Sequence, residues 1–545
     1  MYGFCLNIYL HYVTSDTGAC TCNGGILKKF LFILVFFISF LAANEGGVKF
    51  RLEPYDNLSP KEELSFFVPF PKGVLKGDED IMLDFPELKI FARKKIIASW
   101  EDKSVKVIQL SFRGLEGRPI LEGKVVWGTF EKERKEDEEK AGNEASGAKK
   151  EPEKLPEWQK EKLKKALGKI DSYANPPEYK VKVLAIFEPR WYCDSKVWGD
   201  LFPSEDNFNW RRYERKFDAS YKENVLPARK SGQAELSYYD TAHALFQMYM
   251  RSGNKEYLYA GHKETKRYIE EEIIKDGQFR GQHVNGKGIP LPWRGLRVLY
   301  IEGLVDDYIL TGDTSSLEWA KAMGDQFVKN IKDSDLKINE RNPGWPTLEL
   351  LALYNVTGDE KYLNKAKKII DVVLSWQDAS GGWKRVYEDK EECSHGHKGG
   401  SAFMTTILCE GLIHYHLMTG DKRVEKALVK AADWLLNEMY MPNQKTFRYI
   451  QCPQSTAAGT YSLNPMYIEM LGYATFISKD EKYRRVAREV MSDTVKTGNY
   501  ANHIKEFAQC FRSSSRGLYW LYKDYVTETK TAPQKPAEEI TKESK

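Results

Sequence analysis

The sequence predicts a multidomain protein with separate β and α regions. An N-terminal β domain is followed by an (α/α)6-type toroid, which is a ring of helical hairpins. The chain of 545 residues is too long for one simple core. Short strand-like segments lie near its start, and a helical-hairpin pattern recurs through the remainder. The hydrophobic content of 42% and the charged content of 29% are those of an ordinary globular protein.

The β domain is predicted over residues 48–190. Its candidate strands are short, rich in β-branched and aromatic residues, and bounded by Pro, Gly or Asp. They are residues 65–68, 88–91, 96–100, 105–110, 124–127 and 179–187. Residues 131–165 interrupt the domain and begin with a run of Glu, Lys, Ala and Gly. Such a run cannot bury apolar surface, so we expect a disordered insert.

The toroid is predicted over residues 207–526, where one short motif recurs five times. An apolar helix ends at Gly, the next residue is Asp or Asn, and an amphipathic helix follows. The copies are centred on Gly253, Gly312, Gly358, Gly420 and a degenerate Lys479. Gly ends a helix in the left-handed conformation, and Asp or Asn caps the next helix. Such hairpins must stack to bury their faces, and a further apolar helix at 516–526 predicts closure into six hairpins. An open array is the alternative.

A polar position also recurs, ten residues before Gly253, Gly312, Gly420 and Lys479. It holds His243, Glu302, Glu410 and Glu469. A residue repeated in several hairpins favours a structural role, because catalysis needs asymmetry. Paired-carboxylate hydrolysis is the alternative interpretation. His243 departs from the repeat, which makes it the more interesting position.

The two ends of the chain are predicted to lie outside the folded domains. Lys28 and Lys29 precede an apolar run that closes in Ala42 and Ala43, which is typical of a signal peptide. We therefore expect residues 1–43 to be a signal peptide with a mis-assigned start, and the protein to be secreted or periplasmic. An uncleaved membrane anchor is the alternative, but no stable anchor is expected. The polar tail, 527–545, is predicted to be disordered.

Charge and cysteine content exclude some classes of function. Lys and Arg number 82 against 78 Asp and Glu, which gives no overall argument for nucleic-acid binding. No CxxC pair occurs among the cysteines after the signal segment, so neither a zinc site nor a disulfide framework is expected, although one or two disulfides are possible. His395 and His397 form a weak metal-binding pattern. We expect no metal or cofactor, with a divalent cation such as calcium left open.

The substrate cleft is predicted where the inner helices begin. The loops that enter these helices bring together His, Tyr, Arg and Trp. Aromatic faces stack on sugar rings, and Arg pairs with carboxylates. The predicted substrate-binding residues are Asp240, His243, Trp293, Trp345, Trp383, Arg385 and Tyr461. The alternative is that these polar and aromatic residues only cap helices or pack. The expected partner is a polysaccharide or oligosaccharide.

The segment Trp100–Phe112 resembles a known motif. Its residues Trp100, Asp102, Ser104 and Lys106 match the W-x-D-G-S-x-K-W pattern of exo-rhamnogalacturonan-lyase-like proteins, while Lys103 stands in place of the Gly and Val107 in place of the second Trp. These proteins belong with the six-hairpin glycosidase-like enzymes. The resemblance implies an N-terminal β barrel and a C-terminal α/α toroid, and it suggests architecture more strongly than activity.

We predict a polysaccharide lyase that acts on uronate-containing polysaccharide by β-elimination. Arg294 would neutralise the uronate carboxylate near a helix N-terminus. His283 would remove the proton, with His395 or His397 as the replacement base, and Tyr239 would donate to the leaving oxygen. The alternatives are a glycoside hydrolase that uses two carboxylates such as Asp240 and Glu302, and a non-catalytic glycan-binding or surface protein.

Overall fold

A computed structural model describes residues 46–54, 63–113, 115, 121–128, 130, 183–231, 237–284, 296, 298–387, 393, 396–452 and 461–531. The predicted signal peptide (1–43), the insert (131–165) and three candidate site residues lie outside this range. Those three are Trp293, Arg294 and His395. Within the described part of the chain, no helix is both long enough and apolar enough to cross a membrane.

The N-terminal region is β-rich, as predicted, and consists of two antiparallel sheets. Its strands are β1 (Gly46–Pro54), β2 (Leu64–Pro69), β3 (Asp80–Phe85), β4 (Leu88–Phe91), β5 (Arg93–Ser99), β6 (Val105–Phe112), β7 (Leu121–Gly128) and β8 (Val183–Phe187). One sheet has the order β4-β3-β7-β1-β8, and the other has the order β2-β6-β5. Strand β3 was not among the predicted strands, because its acidic residues obscure the apolar pattern.

The two sheets pack against each other through aromatic side chains. Phe50 of β1 stacks on Phe66 of β2, with ring centroids 5.3 Å apart. Phe66 in turn meets the edge of Phe112 on β6 at 5.9 Å. These rings are buried, and together they supply much of the core of the region.

The C-terminal region is a ring of inner and outer helices. The inner helices are α4 (Thr241–Ser252), α6 (Glu302–Thr311), α9 (Arg341–Thr357), α11 (Ala402–Thr419), α13 (Asn464–Ser478) and α16 (Ser514–Thr531). The outer helices are α2 (Arg211–Ser220), α5 (Lys255–Glu272), α7 (Thr314–Asn330), α10 (Glu360–Trp376), α12 (Lys422–Trp434) and α14 (Glu481–Thr497). Shorter helices are α1 (Pro189–Ser195), α3 (Leu226–Ser231), α8 (Asp333–Leu336) and α15 (Ile504–Phe511).

The hairpin motif forms the predicted caps. The inner helices α4, α6, α9 and α11 each end at a Gly with positive φ, and α13 ends at Lys479 with φ 63°. The next residue caps the following outer helix, where its side chain accepts a backbone N–H. These capping residues are Asn254, Asp313, Asp359, Asp421 and Asp480. The capping pattern therefore confirms the sequence prediction at all five copies.

The predicted role of glycine in close helix packing is also confirmed. A Cβ atom on Gly303 of α6 would lie 2.5 Å from Asp240 Oδ1 and 2.9 Å from Ala242 Cβ. Only glycine lets α6 approach the start of α4 this closely. The contact brings Asp240 within reach of the backbone of the next hairpin.

The ring closes, so the open array is wrong. Each inner helix contacts the next, from α4 to α16. The last helix returns to the first, where Arg516 Nη1 lies 3.2 Å from His243 Nε2. Helix α16 extends to Thr531, past the predicted toroid end at residue 526. The β region packs on the ring, for example through Phe67 and Tyr308 with centroids 4.7 Å apart, and one apolar core runs through both.

Candidate active site

Two arginines from the end of the chain occupy the axis of the ring. Arg512 Nη1 lies 2.5 Å from Glu410 Oε1, and Arg512 also contacts Glu302. Arg516 Nε lies 2.8 Å from Glu469 Oε1, and Arg516 also contacts Glu410. All five side chains are buried. The three repeated glutamates are thus held by buried ion pairs.

His243 takes the corresponding position on α4 but contacts a carboxyl group. Its Nδ1 lies 2.6 Å from Asp306 Oδ2. Arg516 Nη1 faces the other ring nitrogen, Nε2, at 3.2 Å. Since a guanidinium can only donate, Nε2 accepts and Nδ1–H donates to Asp306. Burial lowers the pKa of His243 well below its usual value, so the ring is neutral.

Asp306 and Glu302 differ in protonation although they share one helix face. They lie four residues apart on α6, so their side chains are neighbours. Burial, with the nearby Glu302 and Asp240 carboxylates, raises the pKa of Asp306 well above its usual value. Burial also opposes ionisation of Glu302, but Arg512 outweighs it and lowers the pKa of Glu302. The surroundings therefore favour the protonated form of Asp306 and the ionised form of Glu302.

Both carboxyl groups line a cavity of about 510 Å³, here called the axial cavity. It lies between the last turns of α9 and α11, the segment 196–200, and the β5–β6 hairpin. Its aromatic lining consists of Trp100, Trp198, Tyr354 and Trp520. A cavity lined by aromatic rings and a few charged groups is typical of a small-molecule or sugar site.

The hairpin that walls the axial cavity is the segment that resembles the family motif. Trp100 Nε1 donates to Phe70 O at 3.1 Å, which fixes the ring. The Asp102 carboxylate accepts from Ser104 N and Oγ at 3.0 and 2.6 Å, which shapes the turn. Lys103 has φ 69°, a conformation that favours glycine, and this explains the Gly of the motif. Lys106 then reaches Asn355 Oδ1 of α9 at 2.9 Å.

Several residues predicted at the opposite end of the ring, where the inner helices begin, are buried. Trp345 has no exposed surface, because Tyr239 and Tyr300 pack on its ring at 5.3 and 5.1 Å and the Arg512 guanidinium lies 4.6 Å from its centroid. The Tyr239 hydroxyl is buried in the same cluster. Trp383 is also fully buried, and its indole donates to Val373 O at 2.9 Å. The structure therefore exposes no ring face of Trp345 or Trp383 for the predicted substrate contact, and it buries Tyr239, the predicted proton donor.

Asp240 has a capping role rather than an exposed one. Its Oδ1 accepts from His243 N at 3.1 Å, and its Oδ2 accepts from Gly303 N at 2.9 Å. The carboxylate thus caps its own helix and ties it to the next. Asp240 and Glu302 therefore do not form the pair of free carboxylates that the alternative hydrolase prediction used. The carboxyl group beside Glu302 in the axial cavity is Asp306.

The remaining predicted residues lie at the beginning of the inner helices but do not converge on one point. His283 Nε2 lies 2.9 Å from Glu272 Oε2. Arg385 Nε lies 3.5 Å from the buried Glu340. Tyr461 is half-buried in a short turn before α13. The structure thus places these three residues in separate local contacts.

His397 lies in a cluster that sequence reasoning did not predict. Its Nδ1 is 3.3 Å from Cys452 Sγ and 3.5 Å from Cys393 Sγ, and the two sulfurs are 3.3 Å apart. Two thiols and an imidazole are donors that zinc prefers, and these separations suit ligands around one tetrahedral ion. The expectation of no metal did not anticipate this donor set, because Cys393 and Cys452 are far apart in sequence.

Other residues of the axial cavity were also missed. Arg516 begins the predicted apolar helix at 516–526, and Arg512 lies four residues before it; that spacing could have matched the two arginines to the repeated glutamates. Asp306 and His414 lie on predicted inner helices, where each polar residue needs a partner or a function. Lys106 belongs to the Trp100–Phe112 segment, but its contact with Asn355 of α9 could not be predicted from the sequence.

Comparisons with known proteins show that this chain is similar to several carbohydrate-active proteins. The model of the β-L-arabinofuranosidase GH127 catalytic domain matches residues 298–395. Similar solved structures include a polysaccharide lyase (14% identity, 59% of this chain and 99% of that one, TM-score 0.43). A glycosyl hydrolase of family 88 from Bacteroides vulgatus is 12% identical over 56% and 99% of the two chains (TM-score 0.44). A sugar epimerase from a ruminal bacterium is 14% identical over 52% and 87% (TM-score 0.42).

A search of curated protein sequences gives no match. The narrower resemblance to exo-rhamnogalacturonan-lyase-like proteins is not confirmed by these comparisons. The architecture itself is an N-terminal β region followed by a closed ring of six helical hairpins, which is an α/α toroid.

Proposed function

We propose that the protein is a carbohydrate-active enzyme that hydrolyses a glycosidic bond in the axial cavity. One observation carries this proposal: Asp306 and Glu302 line the same cavity from one helix face, and their surroundings shift their pKa values in opposite directions. A protonated and an ionised carboxyl group are the pair that glycoside hydrolysis requires.

In this mechanism Asp306 is the general acid and protonates the leaving oxygen. Glu302 is the carboxylate that activates water or stabilises the positive charge that develops on the sugar. His243 positions Asp306 through its Nδ1–H, and Arg512 keeps Glu302 ionised. The family-model match supports this assignment, because residues 298–395 include both carboxyl groups and the matched family is a glycoside hydrolase.

β-Elimination on a uronate-containing polysaccharide is the second candidate. It is favoured by the position of the Trp100–Phe112 segment, which resembles a lyase-like family and supplies Trp100 and Lys106 to the axial cavity. Lys106 and Arg516 are cations that could stabilise the enolate-like charge of that reaction.

We also propose that the protein is exported and cleaved after about residue 43. The basic pair and apolar run near the N-terminus support this proposal. N-terminal sequencing of exported protein tests it, and a chain that still begins at Met1 would contradict it.

The decisive experiment is incubation of the processed protein with a panel of neutral and acidic glycans. New reducing ends without ultraviolet absorbance indicate hydrolysis. Absorbance from a conjugated double bond indicates elimination and favours the second candidate. Binding of a glycan without any product, by a protein whose fold is intact, would instead identify a non-catalytic glycan-binding protein and overturn both.

A further inference from the structure

Lys106 is a buried cation without a carboxylate partner among the described residues. Its side chain is 7% exposed and lines the axial cavity. Its ammonium group donates to Asn355 Oδ1 at 2.9 Å and lies 4.4 Å from the centre of the Trp100 ring. An amide oxygen and a ring face stabilise a cation only in part. A buried charge without a counter-ion is unfavourable and needs a reason to persist.

The groups around Lys106 do not provide the missing anion. Glu101, on the same hairpin, pairs with Lys72 at the cavity rim at 3.0 Å. Glu302 and Glu469, deeper in the cavity, are held by Arg512 and Arg516. The described carboxylates nearest to this wall therefore already have cationic partners.

His414 adds a second unfilled position on the facing helix. It is half-buried on α11, lines the cavity, and makes no hydrogen bond to any described residue. Burial lowers the pKa of His414 to about 3, so its ring is neutral and can still donate one N–H. Lys106 and His414 thus line the same cavity, where the ammonium has one hydrogen-bond acceptor for its three N–H groups and the imidazole has none among the described residues.

We propose that Lys106 and His414 form an anion-binding subsite in the axial cavity, and that the bound group is the carboxylate or sulfate of an acidic sugar. The β domain would then supply the residue that recognises the charge of the substrate, while the toroid supplies the acid and base. This inference rests on the proposed function for its sugar ligand, but its test requires only binding.

Proton uptake gives a specific signature of this subsite. Burial lowers the pKa of Lys106 to about 8. At about pH 9 most molecules therefore hold a neutral amine. A bound anion favours the ammonium form and raises the pKa, so binding must draw a proton from the buffer. Neutral sugars would not cause this uptake.

The test is calorimetric titration of the processed protein at about pH 9 in two buffers of different ionisation enthalpy. The probes are galacturonate, galactose 6-sulfate and galactose. We expect one or both acidic sugars to bind with proton uptake and galactose to bind without it. Uptake with galacturonate alone identifies a carboxylate subsite, and uptake with the sulfated sugar alone identifies a sulfate subsite.

Two variants assign the effect to Lys106. Lys106→Met should weaken acidic-sugar binding by about 10- to 100-fold, as expected for a lost charged hydrogen bond, and leave galactose binding unchanged. Lys106→Arg should keep acidic-sugar binding but abolish proton uptake, because arginine stays protonated. Unchanged affinity in Lys106→Met, or unchanged uptake in Lys106→Arg, would overturn the proposal. If Lys106→Met does not fold, the comparison of proton uptake between Lys106→Arg and the native protein still tests the proposal.

The result separates this inference from the proposed function. Proton-linked binding of an acidic sugar by a protein that cleaves no glycan would support the subsite and contradict the hydrolase. Cleavage of neutral glycans together with failure of the acidic probes to bind would support the hydrolase and contradict the subsite.

Discussion

The two ends of the toroid contain the same kinds of side chain but use them differently. Where the inner helices begin, Trp345, Tyr239 and Arg512 pack against one another and leave no exposed ring. In the axial cavity, at the other end, Trp100 and Lys106 face open space. Residue type alone therefore does not identify a binding site. What distinguishes the cavity is that its polar groups are not all satisfied by the protein.

The largest expected effect is on catalysis. Asp306→Asn removes the proposed acid and should lower kcat/KM by about 100- to 10,000-fold on a cleaved glycan. His283→Ala, at the other end of the ring, should change kcat/KM by only a few-fold. Both values come from initial rates with the same substrate. The comparison between the two ends fails if the His283 variant is the one that loses activity.

The pH profile should show the opposed pKa values of the cavity pair. Activity requires a protonated Asp306 and an ionised Glu302. Because the pKa of Asp306 is raised, activity should be retained at neutral pH and fall as the pH rises through that pKa. Because the pKa of Glu302 is lowered, the acidic limb should lie below the usual range for glutamate. Because the Glu302 charge contributes to the raised pKa of Asp306, the residual activity of Glu302→Gln should fall at a lower pH than that of the native protein. Activity that rises at alkaline pH would contradict the assignment to Asp306.

The axial ion pairs should dominate stability. Arg516→Met leaves Glu469 buried without its cation and Glu410 with Arg512 alone, and it should lower the free energy of unfolding by about 3–5 kcal/mol. Arg423→Met breaks an exposed pair with Asp421 and should change it by about 0–1 kcal/mol. Urea denaturation of the full chain measures both. An equal loss of unfolding free energy in the two variants would show that the axial ion pairs contribute no more to stability than the surface pair does.

The Cys393–His397–Cys452 cluster predicts zinc binding. Zinc at a hundred-fold excess over its Kd should raise the free energy of unfolding by about 2.7 kcal/mol. Cys452→Ser should lose this gain, and Cys193→Ala, at a buried cysteine outside the cluster, should keep it. Thermal unfolding with and without zinc provides the measurement. A disulfide between Cys393 and Cys452, detected as two missing thiols, would contradict the metal site.

The smallest effect is expected in the hairpin that walls the cavity. Lys103→Gly relieves a left-handed backbone conformation and should stabilise the protein by about 1 kcal/mol. Lys95→Gly, in the middle of β5, should instead destabilise it by about 0.5–1 kcal/mol. The two variants remove the same side-chain type, so an identical sign would refute the explanation by backbone conformation.

The fold was predictable because its signals are local. A Gly that ends one helix and an Asp that caps the next are adjacent in sequence. Gly312 and Asp313 therefore predict a helical hairpin without information from other parts of the chain. The site was less predictable because its contacts are distant in sequence. Glu302 meets Arg512, and Lys106 meets Asn355, across more than two hundred residues. The burial of individual side chains was equally unpredictable. Nothing in the sequence indicates that Trp345 is packed in the interior whereas Trp100 lines the cavity.

The position of Arg512 and Arg516 near the end of the chain has a consequence for biosynthesis. Glu302, Glu410 and Glu469 are made first, and their shared counter-charges are made last. A nascent chain that has completed five hairpins therefore carries acidic side chains that cannot yet enter the interior without uncompensated charge. Closure of the ring with paired charges therefore requires its final helix. A chain interrupted before residue 512 would be left with an acidic, unsealed centre, a state well suited to recognition by quality-control proteases.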